Sequence, residues 1–443
     1  MGCIPSKPAN VRSENQHDSS IVPNQPSNVN STIMLEGYSE AYALAANLVQ
    51  DHSKVKALAS LRGDDAQKMV LRSQATDDIR KDFLHALSKL VRAALVFPAS
   101  LKLREPDDYR TSQWETPQVV RTGELRVIRL NGPLKGSLEP ACVKIIYKSE
   151  QMFPNDPTTL IRVRAKEAIL RAYFQMQHPT ILPLYGVDLL SEGGSVTELR
   201  NFSAWMENGN LCDYLDRNPP EAKSSQFKFM VDIVSGLDFL HRNEIIHGDL
   251  KSKNVHLSRQ LRAVLADFEV ARIDRENPTL SGIGVGDASW TAPEVLVVDS
   301  ATPTKASDVW SFACTSYEIM TLQEPFYEVE NVMKLIKIFE TAREGGQKRI
   351  PKEPSSMNQD EKNVWTSVMK KCWEYTPEKR PQTGKILSIF SSLGFSVNTA
   401  RLAELPDSTV FSGADAGVNY KDVKKILERI QQEQATGTTE GQS

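Results

Sequence analysis

Eleven consecutive residues, Ile245-Ile246-His247-Gly248-Asp249-Leu250-Lys251-Ser252-Lys253-Asn254-Val255, constrain this 443-residue chain more than any other feature. They place a carboxylate, an amine and a side-chain amide within one short polar loop between apolar residues. Phosphoryl transfer asks for that set: a carboxylate to orient the attacking hydroxyl and accept its proton, a cation beside the moving phosphate, and an oxygen ligand for magnesium. Asp249, Lys251 and Asn254 supply the three. A second carboxylate, Asp267, follows 13 residues after Asn254, in Ala266-Asp267-Phe268-Glu269, behind the apolar run Ala263-Val264-Leu265.

Composition narrows the remaining classes. Lys and Arg number 53 against 56 Asp and Glu, a net charge of −3, which argues against a protein whose main work is neutralising nucleic-acid phosphates. Hydrophobic residues at 40% and charged residues at 25% are ordinary for globular chains, so wholesale disorder is excluded. The densest apolar stretches, such as Ala93 to Phe97, are sized for a core and not for a bilayer. Cys3, Cys142, Cys212, Cys314 and Cys372 are odd in number, scattered and without a CxxC or Cys/His cluster. That pattern speaks for a reducing compartment and against a zinc or disulfide framework.

The first seven residues, Met-Gly-Cys-Ile-Pro-Ser-Lys, fit the N-myristoylation pattern with Gly2 as acceptor and Ser6 in the required place. One myristoyl chain binds membranes reversibly, with a constant of about 10⁴ M⁻¹, so a palmitate on Cys3 would make the anchor stable. Residues 1–35 therefore read as an acylated anchor and a tether of Asn, Ser, Gln and Pro that buries too little to order itself. Residues 36–112 carry helix formers, with Leu44, Leu48 and Val55 and then Phe83, Leu87, Leu90 and Ala94 returning to one face. A helical segment is expected there, and no chemistry. After residue 395 the chain turns polar, with one amphipathic candidate from Tyr420 to Gln434.

The passage around Asp249 resembles the His-Arg-Asp-Leu-Lys-x-x-Asn catalytic loop of protein kinases, with Gly248 in the arginine position, and Asp267-Phe268 resembles that family's Asp-Phe-Gly metal motif. Ala141-Cys142-Val143-Lys144 is similar to the Val-Ala-Ile-Lys of the third strand. Ser203 to Gly209 looks like the hinge, with Ser203 as gatekeeper, and Trp290-Thr291-Ala292-Pro293-Glu294 resembles the Ala-Pro-Glu end of the activation segment. The resemblance covers residues 113–395 and implies an α+β, two-lobed protein kinase fold, preceded by the helical segment. A small β-rich lobe would span about 116–202 and a larger α-helical lobe about 203–394.

On that resemblance ATP and magnesium, or manganese in its place, sit between the lobes. Asp249, Lys251 and Asn254 are catalytic; Lys144, Glu167, Gly123, the Ala204 carbonyl and the Met206 amide hold the nucleotide; Asn254 and Asp267 bind the metal. Glu294 and Arg380 form a buried ion pair, and Asp308 bonds the catalytic loop. Lys251 follows the serine/threonine pattern and Trp290 to Glu294 the tyrosine-kinase one, so a tyrosine-kinase-like serine/threonine kinase is implied. Its partners would be protein substrates and the inner leaflet of a membrane, the plasma membrane first, with no nucleic acid.

Four departures keep a second reading open, a catalytically weak or inactive pseudokinase acting as a membrane-tethered scaffold. Only Gly123 fits the Gly-x-Gly-x-x-Gly template. Glu269 stands where glycine is usual, either repelling nucleotide phosphates or pointing harmlessly to solvent. Cys142 narrows the adenine ceiling. Glu167 lies farther before His178 than the family's spacing, so either the following loop is longer and Glu167 still faces Lys144, or that pair is absent. A fifth change, Gly248, bears on regulation instead: it removes the arginine that commonly reads a phosphorylated segment, which implies another main switch.

Overall fold

A computed structural model describes residues 120–396 apart from 123–124, 131–139, 152, 154–156, 162–163, 166, 168–177, 193–194, 275–286 and 299–300. The expected anchor with Gly2 and Cys3, the helical segment, the tail helix and Gly123 lie outside the described residues.

Strand alternation organises the N-terminal part. Five antiparallel strands, β1 (Val120–Thr122), β2 (Leu125–Arg129), β3 (Ala141–Tyr147), β4 (Leu184–Glu192) and β5 (Ser195–Ala204), form one sheet in the order β1-β2-β3-β5-β4. On β3 the odd positions Ala141, Val143 and Ile145 are buried with Ile128, Leu130, Tyr185 and Phe202. Period-2 geometry therefore sends Cys142 and Lys144 to the opposite face. Lys144 is held in register against Asn201, and Cys142 against Ser203.

The C-terminal part is mostly helical. Asn210 caps α1 (Leu211–Arg217) by accepting from Asp213 N, and a proline opens α2 (Pro219–Arg242), where the missing N–H costs nothing. Short strands follow: β6 (Ile245–Ile246), β7 (Val255–Leu257), β8 (Ala263–Leu265) and β9 (Arg272–Ile273), with β6 pairing β9 and β7 pairing β8. Then come α3 (Pro293–Leu296), α4 (Lys305–Thr321), α5 (Val332–Arg343), α6 (Gln359–Val364), a π turn (Trp365–Met369), α7 (Lys370–Cys372) and α8 (Thr383–Ser392). A reciprocal Thr304/Ser307 box starts α4, whose next four turns are buried almost all round, so α4 runs through the core and not over it. Trp310, Trp365 and Trp373 fill the space around it. The result is the expected α+β arrangement of a small sheet and a larger helical body. The catalytic-loop residues lie between β6 and β7.

Candidate active site

Asp308, in the first turn of α4, holds the catalytic loop in shape. Its buried carboxylate accepts from His247 N and Gly248 N, both at 2.8 Å, and from His241 Nε2 at 2.8 Å. Two consecutive backbone amides aimed at one carboxylate force a sharp turn, and Gly248 supplies it at φ 80°. His247 is buried beneath the loop. Its Nε2 donates to the Ala266 carbonyl at 3.1 Å, and its ring lies 5.2 Å from that of Phe268. The loop and the Asp267 strand end are thereby fastened to each other.

Above that support the polar groups converge. Asn254 Nδ2 donates to the Asp249 carbonyl and to Asp249 Oδ2, each at 2.7 Å. Both amide protons are then spent, and the Asn254 oxygen is left as the ligating atom. Lys251 Nζ donates to Asp249 at 2.9 and 3.2 Å and also reaches Asp287 Oδ2 at 3.4 Å. Burial pulls the Lys251 ammonium down, but the two aspartates more than offset it and hold it above the usual lysine range. Ala266 N donates to the Asn254 carbonyl at 2.9 Å, so Asn254 and Asp267 sit on directly bonded segments.

Asp267 takes a left-handed conformation, φ 56°, which costs about 1–3 kcal/mol for a residue with a Cβ and persists because its surroundings fix it. Lys144 Nζ donates to Asp267 Oδ1 at 3.0 Å and to Glu167 Oε2 at 3.3 Å. The Lys144–Glu167 pair is present, which decides the two alternatives left by the spacing before His178. Burial alone would raise the Asp267 carboxyl; Lys144 and then Arg164 more than offset it and hold it well below the usual carboxylate range. For Lys144 burial acts downward, and Asp267 and Glu167 outweigh it, so the amine stays charged. An ionised carboxylate and an amide oxygen on adjoining segments suit a hard divalent cation.

Glu269 does not point out to solvent: it pairs with Arg164 of the helical residues 164–165 and 167. Arg164 Nη1 also lies 4.0 Å from Asp267 Oδ1. At the hinge, Trp205 N donates to the Pro140 carbonyl at 2.8 Å. Because the two polar groups of one peptide plane point opposite ways, the Ala204 carbonyl is turned away from Pro140, and the Cys142 thiol approaches it at 3.7 Å. Met206 packs beside Leu182, Val264 and Ala266.

Two further ties fix the segment that follows. Arg380 forks onto Glu294 at 2.6 and 2.7 Å, the ion pair expected from sequence. Glu318 Oε1 accepts from Ser252 Oγ at 2.6 Å and its Oε2 from Trp290 Nε1 at 2.6 Å, joining the catalytic loop to the segment end. A narrow cleft beside Asp249 is bounded by Trp290, Thr291 and Pro303.

Sequence reasoning named Lys144, Glu167, Asp249, Lys251, Asn254, Asp267, Asp308, Glu294 and Arg380, and all of them fall into these contacts. It missed Arg164, Asp287 as a Lys251 partner, and Glu318. Arg164 had a signal, since it precedes Glu167 by three positions and so shares its helix face. Glu318 had none short of the fold.

The comparisons with known proteins agree with this geometry. Residues 143–390, more than half of the chain, match the family model described as protein tyrosine and serine/threonine kinase. The chain is 29% identical over 218 residues to a probable serine/threonine-protein kinase of Dictyostelium discoideum, covering 48% of this chain and 12% of that one. It is 30% identical over 220 residues to the RGS domain-containing serine/threonine-protein kinase A of the same organism, 48% of this chain and 18% of the relative. It is 27% identical over 214 residues to serine/threonine-protein kinase STY17 of Arabidopsis thaliana, covering 48% and 35%. The chain thus spans about a third or less of the length of these curated relatives. Catalytic-loop geometry, the Lys144–Glu167–Asp267 contacts and the extent of the family match together establish that the chain belongs to the protein kinase superfamily, in the tyrosine and serine/threonine kinase family.

Proposed function

We propose that this chain is an ATP-dependent protein kinase of the tyrosine-kinase-like serine/threonine group, acting in intracellular signalling from the cytoplasmic face of a membrane. One observation carries the catalytic part: Lys144 touches Asp267, Asn254 touches Asp249, and the Ala266 to Asn254 backbone bond joins the two pairs. Four groups of the required chemistry are gathered on one rigid frame.

In the transfer step Asp249 accepts the proton of a substrate hydroxyl as that oxygen bonds to the γ-phosphorus and the bond to the β,γ-bridging oxygen breaks, leaving ADP and a phosphoester. Lys251, charged and 2.9 Å from Asp249, offsets the charge that builds on the moving phosphoryl group. Lys144 holds the α- and β-phosphates. The Asn254 oxygen and the Asp267 carboxylate would hold magnesium, or manganese, which when bound neutralises phosphate charge. The Ala204 carbonyl and Met206 amide read the adenine edge.

The serine/threonine preference rests on Lys251, and the protein substrate on the cleft beside Asp249 bounded by Trp290 and Thr291. Acylation of Gly2 and Cys3 would hold the enzyme at the inner leaflet, most naturally of the plasma membrane. Among the described residues no helix is long and apolar enough to cross a membrane.

The deciding assay is magnesium-dependent transfer of γ-phosphate from ATP, scored by autophosphorylation and on a generic protein substrate, for wild type against Asp249→Asn. Activity that the variant loses supports the kinase reading. Equal silence from a sample shown by calorimetry to be folded would favour the membrane-tethered scaffold.

A further inference from the structure

The contact between Arg164 and Glu269 has no counterpart in the motifs that identify the family, because Glu269 stands where those motifs carry glycine. Both side chains are largely enclosed, with 12% and 21% of their surfaces exposed. The Arg164 guanidinium is also 4.0 Å from Asp267 Oδ1. Three positions on, on the same helix face, Glu167 contacts Lys144, and Lys144 contacts Asp267. The contacts close a ring from Arg164 through the helix to Glu167, Lys144 and Asp267, and back through Phe268 to Glu269.

We propose that Glu269 is a positioning residue: it clamps the helix bearing Glu167 onto the Asp267 segment and holds Arg164 4.0 Å from the Asp267 carboxylate, short of a direct hydrogen bond. The ring contains two cations, Lys144 and Arg164, and three anions, Glu167, Asp267 and Glu269. Removing Glu269 leaves Arg164 with one carboxylate in reach besides Glu167, namely Asp267, which it would occupy in place of a metal ion. With Glu269 present, Arg164 is ion-paired to a carboxylate other than Asp267, and Asp267 keeps an oxygen for its ligand. A carboxylate built into the chain thereby does what an added phosphate does when it pairs with arginine and orders a segment. Gly248 agrees with this, since the catalytic loop carries no arginine to read such a phosphate.

The clamp itself does not depend on catalysis; only its effect on magnesium rests on the kinase reading. Hydrogen exchange on the full chain without nucleotide therefore tests it directly, at residues 164, 165, 167 and 267–269. Glu269→Gln, which keeps the shape, Glu269→Gly and Arg164→Met should each speed exchange there by about tenfold or more, and the exchanged pair Arg164→Glu/Glu269→Arg should recover most of the loss. Exchange in α2 and α4 should be unchanged. Single variants that exchange like wild type, or an exchanged pair as fast as the singles, would overturn the clamp. In parallel, the magnesium concentration for half-maximal ATP binding should rise in Glu269→Gln; a clamp seen by exchange with no rise would remove Asp267 protection from the proposal. A wild type that transfers no phosphate would count against the kinase reading alone.

Discussion

Burial pushes the Glu318 carboxyl up to about 7 from an ordinary 4.5, against the pull of the Ser252 and Trp290 donors. The folded chain then keeps a proton that the unfolded chain releases, so this group's contribution to stability falls as pH rises from about 4.5 to about 7 and is level above that. Glu318→Gln lacks the titration. The difference in unfolding free energy between wild type and Glu318→Gln should shift by up to about 3 kcal/mol across that window, and a pH-independent difference in urea titrations would refute it. Gly248 has little room for a side chain. A Cβ there would lie 3.3 Å from Val270 Cγ2 and O and 3.4 Å from Pro303 Cγ, on a backbone at φ +80°. Gly248→Ala should cost about 1–3 kcal/mol, and so should any attempt to restore the arginine of the family motif; an unchanged urea midpoint would contradict this.

At the scale of elements, single polar side chains do the joining. Arg380 binds Glu294 of α3, the Ala306 carbonyl at 2.9 Å in the first turn of α4 and the Glu374 carbonyl at 2.7 Å, with its guanidinium 5.2 Å from the Trp310 ring. Arg380→Leu strands all three acceptors and should cost about 3 kcal/mol, less than a fully buried pair because Glu294 is 24% exposed. Arg380→Lys should keep the charge and lose the fork, falling between. Equal unfolding midpoints for Leu and Lys would show that packing on Trp310, and not the fork, sets the effect. The strand and helix starts behind these contacts were readable locally, since alternation marks β3 and the Thr304/Ser307 box marks α4. The joints were less so. Glu294 with Arg380 came from family resemblance, whereas Glu318 with Trp290 and Arg164 with Glu269 link residues that only chain folding brings together. Lys144 with Glu167 lies between, because the family resemblance named both residues while the spacing before His178 left their contact open until the structure placed it.

For the whole molecule, the anchor proposal predicts that Gly2→Ala moves the protein from membrane to soluble fractions, and Cys3→Ser does so in part, since one acyl chain alone binds reversibly. Unchanged partitioning of Gly2→Ala would end that proposal. The family-model match ends at residue 390, yet Phe395 stacks on Phe227 with centroids 4.4 Å apart and donates its N–H to the Phe390 carbonyl at 2.9 Å. A chain cut at 390 bares Phe227 and one side of Phe390, an adhesive apolar face. The shortest version suited to expression and crystallisation therefore ends beyond Phe395.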